Sequence, residues 1–469
     1  MRRAQEGLAA WAPRLGVQVA SVTVGSQVRH GATGAQVPEG TVSDAEDARR
    51  AAARIEADPP DLLLIQHATF ATGDLLAPLL RAAPRVAVWA TPEGAAGEGP
   101  LPFNALCGLQ MTLSMLGVPE VDRGEAPVKW LYGDVHEDRF REAFATTLAA
   151  LRGVRALSRA RILAIGGTAP AFYALEERPD ALSGVTVTPC ELRDLFDRVE
   201  AVPEREARAR ATDWADRHAL EVDDATLLRG ARIERALAAL GEEAGADALA
   251  VRCWPELPDA CGAMACAGMG TRAGEGMPAA CEGDVMGALS MLALQGVAAE
   301  AAILMDVSDL SEADDALLLW HCGNAPLAWA DPEGPRPRLT THFNRTDDGP
   351  IRDMALAPGP ATALRLLSGG REALIASGRI RRLDRSGYDG VRGWWSDLAW
   401  HGASLSAERF LAEMLHQRVP HHLAAVAGAC APALAEMAGW LGIAPRTVQA
   451  RPFPGALHGG GAPAPRGPA

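Results

Sequence analysis

Pro278-Ala279-Ala280-Cys281-Glu282-Gly283-Asp284 runs into Val285-Met286-Gly287-Ala288-Leu289-Ser290-Met291-Leu292-Ala293-Leu294, and the stretch closes on Ala301-Ala302-Ile303-Leu304-Met305-Asp306. Glu282 and Asp284 stand just ahead of an apolar helical run, and Asp306 caps a short apolar run of the kind that forms a buried strand. An acid at a helix start and another at a strand end can meet at the mouth of an α/β sheet, where such folds bind ligands. The stretch is therefore read as half of a metal site on an α/β scaffold.

Upstream, the same alternation recurs. After a helical pattern over residues 4–13, Val17 to Val24 reads as a strand. Asp44 to Ala57 is an amphipathic helix, Asp61 to Gln66 a buried parallel-type strand, Leu75 to Ala82 a helix and Val86 to Ala90 a strand. A Gly/Pro-marked loop follows, and Leu106 to Leu116 returns to helix. Helices and strands in alternation mean a parallel sheet. The chain opens on a helix without the strand that usually precedes it, so either the true start lies upstream or an edge strand is lost. A second α/β unit begins at Arg161-Ile162-Leu163-Ala164-Ile165-Gly166-Gly167, where the glycine pair falls short of a dinucleotide fingerprint. Residues 204–245 read as a solvated helical pair, Ala248 to Trp254 as a strand, Cys261 to Gly276 as a Gly-rich loop, and Leu317 to Gly323 as a further strand. Beyond about Pro332 short runs and turn residues take over, which predicts a β-rich final domain closed by a helix from His422 to Leu441. The tail from about residue 452 is rich in Gly, Pro and Ala and is expected to fray.

With 469 residues the chain is long enough for about three domains of roughly 150 residues. A net charge of -14 argues against nucleic-acid binding. No segment approaches the roughly 18 apolar residues of a membrane span, and the start lacks the apolar core of a signal peptide, so the cytoplasm is the expected compartment. The eight cysteines include no C-x-x-C pair and read as reduced, mostly buried thiols. Of the 45 basic residues only Lys129 is a lysine, which sets aside Schiff-base chemistry, and the absence of G-K-[ST] sets aside a phosphate loop.

Two carboxylates alone are weak evidence. Pro420-His421-His422 adds an imidazole at what reads as the start of the last helix. Neighbours on a helix point about 100° apart, so one histidine is expected to ligate and the other to stack or hydrogen-bond. Oxygen-rich sites with one imidazole suit Mn²⁺ or Mg²⁺ better than Zn²⁺.

Cys281-Glu282-Gly283-Asp284, the strand ending at Asp306, Trp320-His321-Cys322-Gly323-Asn324-Ala325-Pro326 and Val419-Pro420-His421-His422 together resemble the L-fucose isomerase-like family, whose fold is shared by L-arabinose isomerases. Leu62 to Phe70, Trp89-Ala90-Thr91-Pro92-Glu93 and Phe103-Asn104-Ala105-Leu106-Cys107-Gly108 extend the likeness over most of the chain. The resemblance implies two Rossmann-like α/β domains, residues 1–153 and 154–297, followed by a β-rich domain over residues 298–469. It implies a divalent ion, Mn²⁺ first with Mg²⁺ and Co²⁺ as alternatives, held by Glu282, Asp306 and His422. It also implies an aldose–ketose isomerase working through an enediol, with Glu282 and Asp306 as the proton-transfer groups, and a homo-oligomer whose pocket is shared between subunits.

Other assignments are secondary. Asp284 is expected to cap the helix or to support the metal from behind, and His421 to stand beside the ligand. Arg272 is a candidate for an anionic substrate group. His321, Trp89, Glu93 and Asn104 are substrate-contact candidates, the last three toward a neighbouring subunit. Trp394, Trp395 and Trp400 read as core rather than as a sugar platform. The family's remote branches are expected to reach sugar acids, sulfonated sugars and other polyols, so fucose is a family name and not a substrate. Two rivals share the scaffold: a metal-dependent epimerase or carbon–carbon lyase on a related polyol or sugar acid, and a sugar-binding or regulatory protein without catalysis.

Overall fold

The structure, a computed structural model, describes residues 2–12, 17–22, 29–30, 36–37, 41–93, 99, 101, 103–124, 126–345, 348–383 and 387–449. The chain forms two compact units, residues 1–151 with 439–442, and residues 152–438 with 443–469.

In the first unit, parallel strands Leu63–His67, Val86–Ala90 and Val128–Tyr132 form one sheet, with Val86–Ala90 in the middle and wholly buried, as its unbroken apolar run requires. Helices Ala45–Ala57, Gly73–Arg81 and Ala105–Ser114 fall where the sequence placed them. The strand expected over Val17 to Val24 is not formed at residues 17–22, and residues 23 and 24 lie outside the described residues.

The second unit holds a four-stranded parallel sheet and a larger, mainly antiparallel one. The parallel sheet runs Ala279–Ala280, Ala248–Val251, Arg161–Ile165, Thr186–Cys190, so the first strand in sequence is flanked by the second and third. That change of direction opens a crevice at the carboxyl ends of Arg161–Ile165 and Ala248–Val251. Gly166-Gly167 lies there, with φ of 77° and 70°.

Six strands of the larger sheet close on themselves. Ile303–Ser311 pairs with Ala316–His321 and His422–Ala427; Val391–Trp400 pairs with Ala316–His321 and Glu372–Arg381; Gly359–Leu367 joins Glu372–Arg381 to His422–Ala427. All six pairings are antiparallel, so the expected β-rich region is a barrel with no free edge in the ring. Ile303, Met305, Leu319, Leu423, Ala425, Trp395 and Trp400 form one apolar cluster inside it. Side chains alternate along a strand, so Asp306, Trp320 and His422 face the other way, out of the barrel. The helix Val285–Ala298 packs over Gly359–Leu367 and His422–Ala427.

Three expectations are corrected. His422 opens a strand, not a helix; the closing helix is Ala431–Trp440. His-Leu-Ala-Ala-Val-Ala has helical composition, but both of its edges pair within the barrel and that decides its state. Asp306 does not end its strand, which continues to Ser311. The Gly-rich stretch after Cys261 contains the helix Cys266–Gly274. Its glycines serve close packing: a Cβ on Gly270 would come 2.5 Å from Ala325 O, and one on Gly268 would come 3.1 Å from Glu234 Cβ.

Candidate active site

The carboxyl end of Ala279–Ala280 delivers Cys281 and Glu282 to the crevice, and a tight turn then starts the helix. Glu282 and Gly283 are both left-handed, with φ of 58° and 72°. A Cβ on Gly283 would lie 2.0 Å from Gly167 O, so only glycine fits against the Gly166-Gly167 loop. Ala169 N–H donates to Glu282 O at 2.9 Å, and Glu282 N–H donates to Cys253 Sγ at 3.4 Å. A non-glycine residue held in this conformation from both sides is the kind of strain found at functional positions.

Asp284 caps the helix and also reaches His422. Its Oδ1 accepts Gly287 N–H at 2.8 Å and caps the helix, while its Oδ2 accepts His422 Nδ1–H at 2.8 Å. Arg365, fully buried, donates to the two carboxylate oxygens at 2.5 and 3.2 Å. Burial works to raise the Asp284 carboxyl, but Arg365 and then His422 outweigh it and hold it well below the usual carboxylate range. The carboxylate therefore fixes the His422 tautomer and leaves the Nε2 lone pair bare.

That nitrogen faces two acids. His422 Nε2 lies 3.5 Å from Glu282 Oε2 and 3.7 Å from Asp306 Oδ1. Asp306 Oδ1 is buried with no hydrogen-bond partner among the described residues. One imidazole, one partly exposed carboxylate and one orphaned carboxylate oxygen make a donor set that fits a divalent cation with oxygen preference. His421 Nε2 stands 3.3 Å from Glu282 Oε2, and that hydrogen bond raises the imidazole above its ordinary value against the effect of burial. Glu282, His421 and His422 bring ligand atoms within 4.8 Å of one another, as do Cys281, His321 and His422.

His321, at the end of Ala316–His321, is buried beside the cluster with Nε2 3.0 Å from Cys281 Sγ. Cys281 Sγ is also 3.5 Å from His422 Nε2. Arg272 does not join this group. It is buried in the helix Cys266–Gly274, where Glu234 and Glu275 neutralise it. In the first unit, Trp89 is buried with its Nε1–H on Gly133 O. Glu93 accepts the N–H groups of Phe103 and Asn104 at 3.0 and 2.5 Å, and Asn104 is left-handed at φ 56° ahead of its helix. Trp394, Trp395 and Trp400 are buried, as expected of core residues.

No family model matches the chain. A sulfoquinovose isomerase of Alkalicoccus urumqiensis is 32% identical over 316 residues, 66% of this chain and 69% of that protein. One from Priestia aryabhattai is 27% identical over 336 residues, 70% of this chain and 73% of that protein. One from Clostridium sp. (strain MSTE9) is 27% identical over 320 residues, 66% and 69% respectively.

The chain belongs to the sulfoquinovose isomerase family. It is an aldose–ketose sugar isomerase, an intramolecular oxidoreductase, the class that its acid and histidine motifs led one to expect. Among the described residues no helix is long and apolar enough to cross a membrane.

Two members of the cluster in this sulfoquinovose isomerase family protein escaped sequence reasoning. Arg365 carried a signal, a lone arginine in the apolar strand Gly359–Leu367, where a buried guanidinium calls for a buried acid. Cys281 carried none, because its neighbours His321 and His422 come from strands 40 and 141 residues away.

Proposed function

We propose that the enzyme interconverts sulfoquinovose, or a closely related sulfonated aldose, and the corresponding 2-ketose. A divalent cation, Mn²⁺ first, would be held by Glu282, Asp306 and His422. The observation that carries this reading is the convergence of His422 Nε2 with Glu282 Oε2 and the partnerless Asp306 Oδ1. When bound, such a cation supplies Lewis acidity at the sugar's O1 and O2.

The rest of the work falls to the chain. Asp284, backed by Arg365, orients His422. Glu282 and Asp306 flank the reacting carbons. One takes the proton from C2 of the aldose and returns a proton at C1; the other attends the proton that moves between the sugar oxygens. No atoms are gained or lost. His421, on Glu282, offers a path for proton exchange with solvent, since its side chain is about 43% exposed.

The same reading takes the two parallel sheets as Rossmann-like, divides the chain at residues 153 and 297, and keeps the kinship with L-fucose isomerases. It places the enzyme in the cytoplasm, which suits its eight free thiols. It also takes the enzyme as a homo-oligomer in which Glu93 and Asn104 border a neighbouring subunit's pocket, with Trp89 buried behind them.

The test is ¹H NMR of sulfoquinovose in D₂O with Mn²⁺-loaded protein. Deuterium should enter C2 of the aldose and C1 of the ketose as product forms. Folded, metal-loaded protein that exchanges neither position on sulfoquinovose or on a panel of related sulfonated aldoses would overturn the reading.

A further inference from the structure

We infer that Cys281 gives this centre a second mode of metal binding, in which a thiophilic cation such as Zn²⁺ joins the Cys281 thiolate to His422 and thereby excludes the hard cation. The inference rests on the reading of His422 as a metal ligand.

The geometry is that of two ligands on one small ion. With Zn–S about 2.3 Å, Zn–N about 2.0–2.1 Å and a tetrahedral angle, sulfur and nitrogen should stand about 3.5 Å apart. Cys281 Sγ and His422 Nε2 are 3.5 Å apart. The protonation pattern agrees. His422 gives its Nδ1–H to Asp284, so Nε2 is free to coordinate. His321 accepts Cys322 N–H on Nδ1 at 2.8 Å, which places its own proton on Nε2, the atom 3.0 Å from Cys281 Sγ. His321 is thus set as a hydrogen-bond donor to the sulfur and not as a third ligand.

Cys281 differs in this from its neighbours. Cys253 Sγ is occupied by Glu282 N–H, and Cys266 and Cys322 face each other at 3.6 Å. On binding, the Cys281 S–H bond breaks as the metal–sulfur bond forms, the proton passes to solvent, and no electrons change hands. Nitrogen and sulfur ligands favour Zn²⁺ over Mn²⁺, whereas the Glu282 and Asp306 oxygens suit Mn²⁺. One nitrogen cannot serve two ions, so the two modes compete at His422 Nε2.

X-ray absorption at the zinc edge of the Zn²⁺-loaded full chain tests this directly. One sulfur at about 2.3 Å is expected; a shell of nitrogen and oxygen alone would overturn the inference without recourse to any variant. In Cys281→Ser the sulfur should vanish and Zn²⁺ affinity by equilibrium dialysis should fall at least about tenfold, while Mn²⁺ still binds; unchanged Zn²⁺ affinity would also count against it. Mn²⁺ binding followed alone by electron paramagnetic resonance, with and without His422→Ala, tests the parent reading separately. A wild type that binds Mn²⁺ through His422 but shows no zinc–sulfur shell would sink only the second mode.

Discussion

Asp306 and His422 stand directly opposite each other on neighbouring antiparallel strands, with Asp306 Oδ1 3.7 Å from His422 Nε2. Opposed residues share one face of the sheet, so the register that puts Met305 and Leu423 into the barrel core turns both proposed ligands outward together. A slip of one residue would send Asp306 into the apolar interior, and that cost pins the pair. Trp320 is opposite Asp306 on the other side, extending the row to a third strand. Two of the three proposed ligands therefore sit on a backbone ladder, which holds side chains more closely than a loop does. The third, Glu282, comes from the strained turn.

Replacing Asp306 by asparagine keeps the shape of the pair and removes the charge. Since altering groups that merely support a ligand costs roughly 10–100-fold in metal affinity, loss of a ligand itself should cost roughly 100-fold or more. Mn²⁺ titration followed by electron paramagnetic resonance, beside initial rates of isomerisation, checks both effects. Chelator dialysis of the unaltered enzyme should abolish turnover, and added Mn²⁺ should restore it. Full activity after exhaustive chelation would contradict the metal reading.

Asp284 touches His422 and Arg365 but neither Glu282 nor Asp306 by any hydrogen bond among the described residues. Asp284→Asn should therefore weaken Mn²⁺ binding by roughly 10–100-fold while leaving the ligand set intact. Arg365→Met does something different. It leaves a buried carboxylate without its main counter-charge, which should cost about 3–5 kcal/mol in a urea denaturation curve. Equal effects of the two substitutions on metal affinity and on stability would show that positioning and charge compensation are not separate here.

The alternation of helices and strands was legible because buried parallel strands are unbroken apolar runs, as in Val86–Ala90. Asp284's capping role was legible from its place before Val285. The barrel was not, since closure depends on pairings such as Leu317 with Trp395, across 78 residues, that leave no local pattern. Ala-rich His422–Ala427 looked helical for the same reason: its partners on both sides are remote. Arg272 was placed on a loop because glycine was taken as a mark of loop, whereas Gly268 and Gly270 let a helix approach Glu234 and Ala325 closely.

Gly283 and Gly276 separate strain from contact. Both have positive φ, 72° and 95°, yet a Cβ on Gly276 meets nothing within 4 Å, while one on Gly283 runs into Gly167 O. Gly276→Ala should cost about 1 kcal/mol, the backbone penalty alone. Gly283→Ala should cost about 3 kcal/mol or more and should lower Mn²⁺ affinity as well, because Glu282 moves with the turn. Thermal denaturation and metal titration of the two variants side by side decide this; similar losses in both would mean that the Gly167 contact relaxes freely.

A pH effect on stability should come from well outside the proposed metal centre. His218 is about 2% exposed; it donates Nδ1–H to Trp214 O at 2.8 Å and accepts Arg352 Nε–H on Nε2 at 3.0 Å. Both nitrogens are used in the neutral ring, and burial together with the Arg352 charge pushes the imidazole down to about 4. Arg352 is itself fully buried, and its remaining bonds go to Ala325 O and Thr271 Oγ1, so it depends on His218 as an acceptor. Folding thus favours the unprotonated imidazole. The stabilisation is present in full above the ordinary histidine value of about 6.5 and drains away as pH falls toward about 4. At about 1.4 kcal/mol per pH unit the loss across that window is about 3 kcal/mol. Carboxylates also titrate there, so the quantity to measure is the difference between urea unfolding curves of wild type and His218→Gln, which keeps an acceptor but cannot take up the proton. The variant's stability should fall less steeply between pH 6.5 and 4 than that of the wild type; parallel slopes would show that folding does not depress the His218 imidazole.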